Sequence, residues 1–398
     1  MAQQGAADPG WKEHLLRRGD GRGGWVLERA EYRFVHLDDY ATFDRFFPFG
    51  IAALDDGELA LIGSAERQRP SPPGTEMVPV IRFSGDGGDS WGPVSAIAPD
   101  QRLSRPMGLA ALPDGGLTFK TYSHDAGRNV RFVSRDRGRT WEKPIPEALC
   151  GEGRVLGMEG NPLVEADADG TVLTELSCWV PPGWPQEPTR EYFVRTRDLG
   201  RTWGEERRPP EWVWQEQHGG RAYTRSVSEG SLVRAANGWL VAALRTDMPP
   251  RYFDGPHDDS LEGTGVSVSR DDGHTWSPIQ TLFEAGRHHA HLLRLPDGRL
   301  LMTLIVRADA HGGGLASYRR GCDAVVSRDC GLTWEVEERW ALDEFEYCGT
   351  RYGGTDLFWV NGMTGHLYSA LLPDGRVLTT YAHYLSRGGV LIRWRPTP

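Results

Sequence analysis

An apolar run, a short polar turn with a glycine, and a second apolar run recur six times along the chain. The copies read "FPFGIAALDDGELAL", "RPMGLAALPDGGLTF", "GNPLVEADADGTVLT", "SEGSLVRAANGWLVA", "HHAHLLRLPDGRLLM" and "GHLYSALLPDGRVLT". Their turn glycines are Gly57, Gly115, Gly170, Gly238, Gly298 and Gly375. Apolar runs of this length on both sides of a turn glycine predict β-hairpins. Six such hairpins predict a repeat architecture built from small β-sheets.

A second motif lies between these hairpins and appears five times with the pattern [S/T]-x-D-x-G-x-[S/T]-W. The copies begin at Ser84, Ser134, Thr196, Ser269 and Ser327, at spacings of 50, 62, 73 and 58 residues. In such a motif the aspartate accepts turn N–H groups, the glycine takes a positive φ and the tryptophan packs on the sheet. The motif therefore predicts stapled turns rather than catalytic groups.

These motifs resemble the Asp boxes of the sialidase superfamily, and the resemblance covers nearly the whole chain from about residue 45. It implies an all-β fold, a six-bladed β-propeller with four strands in each blade. The sixth blade has no clear box, so "WVLERAEYRFVHL" or "VLIRWRP" is expected to complete it. We expect residues 1–24 to form an N-terminal tail and residues 25–398 to form one propeller domain, which carries the catalytic site.

Composition and charge narrow the function further. The chain has 398 residues and a net charge of −10, which argues against nucleic acid or an anionic membrane as the main partner. The N-terminus lacks the apolar stretch of a signal peptide, and no apolar run approaches a membrane span. The cysteines Cys150, Cys178, Cys322, Cys330 and Cys348 are odd in number and lack CxxC spacing, so we expect free thiols. These features predict a cytoplasmic protein of unknown oligomeric state.

The hairpin alignment places polar residues at equivalent positions of the inner strands. Counting nine residues back from each turn glycine gives Pro48, Pro106, Asn161, Glu229, His289 and His366, and ten back gives Phe47, Arg105, Gly160, Ser228, His288 and Gly365. The inner strands of a propeller line its channel, so we expect these residues at one mouth. Buried polar groups need partners, which favours a site over a plain channel lining, although a solvated pore mouth is the alternative.

Sialidases place a glutamate and an arginine at fixed spacings in the fourth blade, and this chain has Glu229 and Arg245 there. Another arginine of the family lies eight residues before the fifth-blade box, where this chain has Arg319 next to Arg320. The resemblance implies that Arg245 and Arg319 bind a substrate carboxylate and that Glu229 polarises a nucleophile. A guanidinium suits this role because it donates two parallel bonds to a carboxylate.

Departures from the family are equally specific. Phe47 stands where the family has its first arginine, and Ala382 stands where the glutamate partner of that arginine would be. Arg105, one blade along, is a candidate for the missing cation. The loop that carries the acid/base aspartate of sialidases has only Glu66 and Glu76 here, and neither aligns with it.

The tyrosine nucleophile of sialidases is replaced by His366, with Tyr368 two residues later. A histidine is a good general acid or base near neutral pH, but a poor partner for a stable glycosyl intermediate. We therefore expect a glycoside hydrolase acting on an acidic sugar, with His366 or Glu229 activating water and inversion of configuration. Tyr368 would restore retention if the strand carries a bulge.

Two alternative functions remain open at this stage. A polysaccharide lyase would use His289, His366 and Tyr368 on a uronate, and a non-catalytic propeller would only bind glycans. We expect no cofactor and no metal: imidazoles at 288, 289, 291 and 366 suit a transition metal, but His289 and His291 lack an identifiable third ligand. Rim aromatics, namely Trp179, Trp184, Trp212, Trp214 and Tyr223, would stack on sugar rings or form a hydrophobic plug or oligomer contact.

Overall fold

The computed structural model describes residues 10–35, 45–70, 73–148, 157–158, 160–179, 181, 187–253, 259–311, 314–317, 319–346, 364–383 and 388–398. Within these residues, helix is limited to four 3-10 turns, Pro210–Trp212, Pro250–Tyr252, Asp259–Leu261 and Val336–Glu338. The all-β class is therefore confirmed. No helix in this part of the chain is long and apolar enough to span a membrane. Cys150, Cys348 and Trp184 lie outside the described residues.

The described strands follow one another along the whole chain. The first ten are β1 (Lys12–Gly19), β2 (Trp25–Val35), β3 (Arg45–Ala53), β4 (Leu59–Pro70), β5 (Pro73–Ser84), β6 (Ser95–Ala96), β7 (Met107–Ala111), β8 (Leu117–Ser123), β9 (Arg128–Ser134) and β10 (Ile145–Pro146). The next ten are β11 (Gly157–Met158), β12 (Leu163–Asp167), β13 (Gly170–Trp179), β14 (Arg190–Thr196), β15 (Glu205–Arg207), β16 (Trp214–His218), β17 (Arg221–Arg225), β18 (Val227–Arg234), β19 (Leu240–Thr246) and β20 (Gly263–Ser269). The last ten are β21 (Gln280–Phe283), β22 (Arg287–Arg294), β23 (Leu300–Val306), β24 (Asp309–His311), β25 (Gly314–Ser317), β26 (Arg319–Ser327), β27 (Trp340–Glu346), β28 (Thr364–Leu371), β29 (Val377–His383) and β30 (Gly388–Trp394).

The chain divides into two compact units. Unit 1 comprises residues 1–16, 27–147 and 349–398, and unit 2 comprises residues 17–26 and 148–348. Four separate sheets, β3–β6, β7–β10, β12–β15 and β18–β21, have consecutive antiparallel strands, as propeller blades do. The arrangement is propeller-like.

In unit 1, strands β28, β29 and β30 pair in order, and the segment Glu31–Val35 of β2 pairs with β30. Both terminal segments that the sequence offered for the last blade are thus used, one as its third strand and one as its fourth. The apolar core beneath them includes Phe46, Phe49 and Leu391.

In unit 2, β22, β23, β26 and β27 pair in order, and Arg17 and Arg18 of β1 pair with β27. The segment expected as a tail therefore contains a strand. Two hairpins, β16–β17 and β24–β25, extend from this unit.

The five Asp boxes are turns held by their own side chains. In the first box, Ser84 Oγ accepts the Gly88 N–H at 2.8 Å and Asp86 Oδ1 accepts the Ser90 N–H at 2.8 Å. The same bonds hold the boxes of Asp136, Asp198, Asp271 and Asp329. Because their carboxylates are occupied in this way, the box aspartates are structural, as the motif predicts.

Candidate active site

Two β-bulges place the central residues of the site. The register between β18 and β19 shifts between Ser228 and Ser231, and the register between β22 and β23 shifts between His288 and His291. These are equivalent places in consecutive four-stranded repeats. A bulge breaks the alternation of side chains along a strand and re-aims the residue that it contains.

Glu229 and His289 occupy these bulges with φ values of +48° and +52°. A positive φ costs a residue with a β-carbon about 1–3 kcal/mol and is often retained at functional sites. Among the described residues, the other non-glycine positions with positive φ are Ala98 and one position in each of four Asp boxes, Arg137, Leu199, Asp272 and Cys330. Outside the box turns and Ala98, this strain is therefore confined to Glu229 and His289.

The two strained residues contact each other. His289 Nδ1 lies 2.9 Å from Glu229 Oε2, a distance at which an Nδ1–H would donate to the carboxylate, which can only accept. Arg245 Nη1 contacts the same carboxylate oxygen. Burial disfavours the charged form of Glu229, but the charge of Arg245 and the contact with His289 outweigh it and hold the pKa of Glu229 well below its usual value. The carboxylate is thus ionised and orients the imidazole.

Arg245 is held from its other side by Glu262. The Glu262 carboxylate, 2% exposed, contacts both Nε and Nη2 of the guanidinium. Arg245 reaches this position because it pairs with Ser228 across the two strands. One cation therefore holds two carboxylates, and no sequence pattern pointed to Glu262, which lies before β20 outside any repeat.

His288 lies beside this group and is fully buried. Its ring centroid is 4.5 Å from that of His289. Burial, together with the positive charges of Arg307 and Arg245, lowers the pKa of His288 well below its usual value. Arg307, itself buried, is a second residue that sequence reasoning missed. The imidazole of His288 is consequently neutral at neutral pH.

Asn161 and His291 form a separate contact in unit 2. Asn161 Nδ2 is 3.0 Å from His291 Nε2, and His291 is buried. Burial lowers the pKa of His291 to about 4. Asn161 is thus hydrogen-bonded to a neutral buried histidine, and its expected role in substrate binding stays a prediction.

Arg319 lies in a network of carboxylates. Its guanidinium is 2.9 Å from Asp323 Oδ2, 3.1 Å from Asp309 Oδ2 and 3.6 Å from Glu344 Oε1. Arg287 contacts Asp323 and Asp309 as well, at 2.8 and 2.7 Å. Arg319 is thus engaged by carboxylates of the chain itself, and its expected role toward a substrate carboxylate stays a prediction.

A partly buried acid, Asp247, follows β19. Asp247 Oδ2 accepts the Ser226 N–H and Oδ1 accepts the Thr189 hydroxyl, both at 2.8 Å. Burial raises the pKa of Asp247 to about 6, and the nearby charge of Glu262 acts in the same direction. This group had no sequence signal either.

The rim aromatics are partly covered. The guanidinium of Arg225 lies 5.0 Å from the ring centroid of Trp214, and Trp212 is buried against Trp276. One face of Trp214 is therefore occupied by a cation, and Trp212 belongs to the core.

Unit 1 contains the remaining candidates. Arg105 forms a two-pronged ion pair with Glu66, with Nε 2.8 Å and Nη2 3.3 Å from the carboxylate oxygens. The guanidinium also lies 5.7 Å from the ring of Phe49, whose centroid is 5.9 Å from that of the half-buried His366. Arg105 and His366 thus share an aromatic neighbour within this unit.

Tyr368 is 2% exposed and packs in the apolar core of unit 1. A bulge does occur between Thr364 and Leu367, as retention by Tyr368 would require, but it contains His366 itself. Phe47 and Ala382, the replacements for an ion pair of the family, are buried in the same core. Both partners of that pair have been exchanged for apolar groups that pack together.

The comparisons with known proteins agree with the architecture. No curated protein sequence matches this chain. A protein of unknown function from Dyadobacter fermentans has a similar structure, at 18% identity and a TM-score of 0.61, covering 97% of this chain and 100% of that one. The Hadza microbial sialidase is similar at 15% identity and a TM-score of 0.60, covering 93% of this chain and 70% of that one.

The NanB sialidase of Streptococcus pneumoniae is similar at 12% identity and a TM-score of 0.53, covering 91% of this chain and 70% of that one. Likeness at these identities indicates a shared fold and leaves activity open. A family model described as BNR repeat-like domain matches residues 74–376, which is more than half of the chain. The chain therefore belongs to the BNR repeat-like domain family.

Proposed function

We propose that this protein is a glycoside hydrolase whose proton-transfer group is the pair Glu229 and His289. The observation that carries the proposal is the 2.9 Å contact between two strained residues on neighbouring bulges. Strain of this kind persists where the surrounding structure holds a functional geometry. We propose further that the repeats close into six blades, with β22, β23, β26 and β27 as one and β28, β29, β30 and β2 as another.

In this mechanism Glu229 orients the imidazole and His289 moves the proton. With Nδ1–H donated to Glu229, the Nε2 lone pair of His289 is the acceptor that can take a proton from water. The hydroxide attacks the anomeric carbon as the glycosidic C–O bond breaks, and the imidazolium, stabilised by the adjacent carboxylate, returns its proton to the leaving oxygen. Arg245 contacts that carboxylate and is itself held by Glu262. Removing either residue would leave a buried charge without compensation.

The substrate that we propose is a sugar bearing a carboxylate, such as a sialic acid or a related ulosonate. The charges near the pair nearly cancel, with Arg245 and Arg307 set against Glu229 and Glu262. This balance leaves no net negative charge beside the pair to repel a substrate carboxylate.

A uronate lyase is the second candidate, because a histidine base also serves elimination. Tyr368 packs in an apolar core, which argues against its serving as the tyrosine of a His/Tyr pair. A propeller that only binds glycans would leave the strain at Glu229 and His289 without a catalytic use.

Product analysis in heavy-oxygen water tests the proposal. Sialosides, other ulosonates, uronate oligosaccharides and neutral glycosides are incubated with the wild type, with Glu229→Gln, and with Glu165→Gln as a matched control. Glu165 is also a carboxylate paired with an arginine in unit 2, but it belongs to the Arg234 ion pair instead. We expect label in a released acidic sugar, loss of turnover in Glu229→Gln and no loss in the control.

Three results would overturn the proposal. An unsaturated product without label means elimination. Turnover of neutral sugars alone would refute the acidic substrate. The absence of product from every member of the panel would refute catalytic activity.

A further inference from the structure

Glu229, His288 and His289 present three ligand atoms to one point in unit 2. Among the described residues, they form the one group of histidine, cysteine and carboxylate side chains whose donor atoms all lie within 4.8 Å of one another. We infer that this cluster binds one divalent transition-metal ion of the zinc type. The inference does not depend on the proposed activity, and it departs from our sequence-based expectation of no metal.

The bulge explains how two consecutive histidines reach the same point. In a regular strand, residues 288 and 289 would point to opposite faces of the sheet. The register shift and the φ of +52° at His289 break this alternation, and the two rings lie 4.5 Å apart. Glu229 reaches the same point from the equivalent bulge of the preceding sheet. Sequence periodicity suggested His289 and His291 instead, because it assumed an unbroken strand.

The donor set selects the kind of metal. Two imidazoles and one carboxylate suit zinc and its neighbours, and this set occurs in catalytic zinc sites that keep a fourth position for water. Donors around a tetrahedral zinc ion are about 3.3 Å apart, given bonds of about 2.0–2.1 Å. The three atoms therefore need to close by at most about 1.5 Å. Calcium and magnesium require more oxygen ligands than the cluster offers.

Nearby positive charges weaken cation binding at this cluster without preventing it. Arg245 contacts Glu229, but the Glu262 carboxylate offsets its charge and leaves Glu229 able to act as a ligand. Arg307 adds positive charge on the side of His288. An ion held by nitrogen bonds tolerates this setting better than one held by charge alone. With metal bound, Glu229 and His289 are ligands instead of a proton-transfer pair, so the two are alternative states of one site.

Metal titration of the stripped protein tests the inference. Isothermal titration calorimetry measures Zn²⁺ binding by the wild type, by His288→Gln and by His289→Gln. His291→Gln is the matched control, because His291 is a buried histidine on the same strand but outside the cluster. We expect one Zn²⁺ per chain, at least about 100-fold weaker affinity in the two ligand variants and less than about threefold change in the control.

Cobalt spectroscopy keeps the test valid if a variant folds poorly. Co²⁺ added to the wild type should give the intense visible bands of a four-coordinate site with nitrogen ligands. Absence of Zn²⁺ binding, equal binding in the wild type and both ligand variants, or only the weak bands of hydrated Co²⁺ would overturn the inference. Because none of these readouts uses turnover, failure of the metal site and failure of the hydrolase proposal are distinguishable.

Discussion

Replacing Glu262 with glutamine should destabilise the protein by about 2–3 kcal/mol. The side chain is 2% exposed and contacts two nitrogens of Arg245. A hydrogen bond between charged groups contributes about 1.5–3 kcal/mol and a neutral one about 0.5–1.5 kcal/mol. Glutamine keeps an accepting oxygen but removes the negative charge that compensates the buried Arg245, so the loss should lie below the about 3–5 kcal/mol for complete removal of a buried ion-pair partner.

Urea unfolding at pH 7 measures this loss as a lower midpoint with an unchanged slope. Glu165→Gln is again the control. Glu165 and its partner Arg234 are 28% and 27% exposed, so that variant should lose less than about 1 kcal/mol. Equal losses in the two variants would refute the view that Glu262 is the buried support of Arg245.

Three further predictions concern other parts of the chain. Asp247 has a folded-state pKa of about 6, raised from 3.8, so its contribution to stability is present below pH 4 and lost as the pH rises through 6. Over this range the free energy of unfolding of the wild type should fall by about 3 kcal/mol more than that of Asp247→Asn, since each unit of pKa corresponds to about 1.36 kcal/mol. Urea unfolding from pH 3.5 to 7 measures this difference, and an equal pH dependence in the two proteins would contradict it. Arg319→Gln should lower the free energy of unfolding by about 2–3 kcal/mol in urea titrations, because Asp323 is fully buried. The KM for the responding substrate should change less than tenfold. A larger rise in KM with intact stability would support the substrate-binding role of Arg319. Tyr368→Phe should keep kcat within about threefold, as expected of a core residue, and a loss above about 100-fold would identify a nucleophile.

The repeats made the fold class readable from the sequence. Each Asp box contains its own hydrogen-bond donors and acceptors, and each hairpin contains its turn glycine, so local chemistry determines local structure. Glu229 and Arg245 could be predicted for a similar reason, because both lie within one hairpin at the spacing that sialidases have. Closure of the last sheet by β2 was one of two options, since strand pairing between the chain ends leaves no local signal.

The geometry of the site was harder to predict from the sequence. Sequence periodicity assumes alternating strands, and the bulges at Glu229 and His289 break that alternation. The sequence placed Glu229, His288 and His289 at one mouth, but as metal ligands on one strand face it paired His289 with His291, whereas the structure brings His289 to Glu229 and His288. Glu262 lies in an irregular segment whose proximity to Arg245 arises only in three dimensions.

The measurement that most directly tests the central claim is a double-mutant cycle on Glu229 and His289. The kcat/KM of the responding substrate is compared among the wild type, Glu229→Gln, His289→Gln and the double variant. Residues that act as one proton-transfer unit are not additive. We predict a loss of about 10²–10⁴-fold in each single variant and no substantial further loss in the double variant. Losses below about threefold, or losses that multiply in the double variant, would contradict the account.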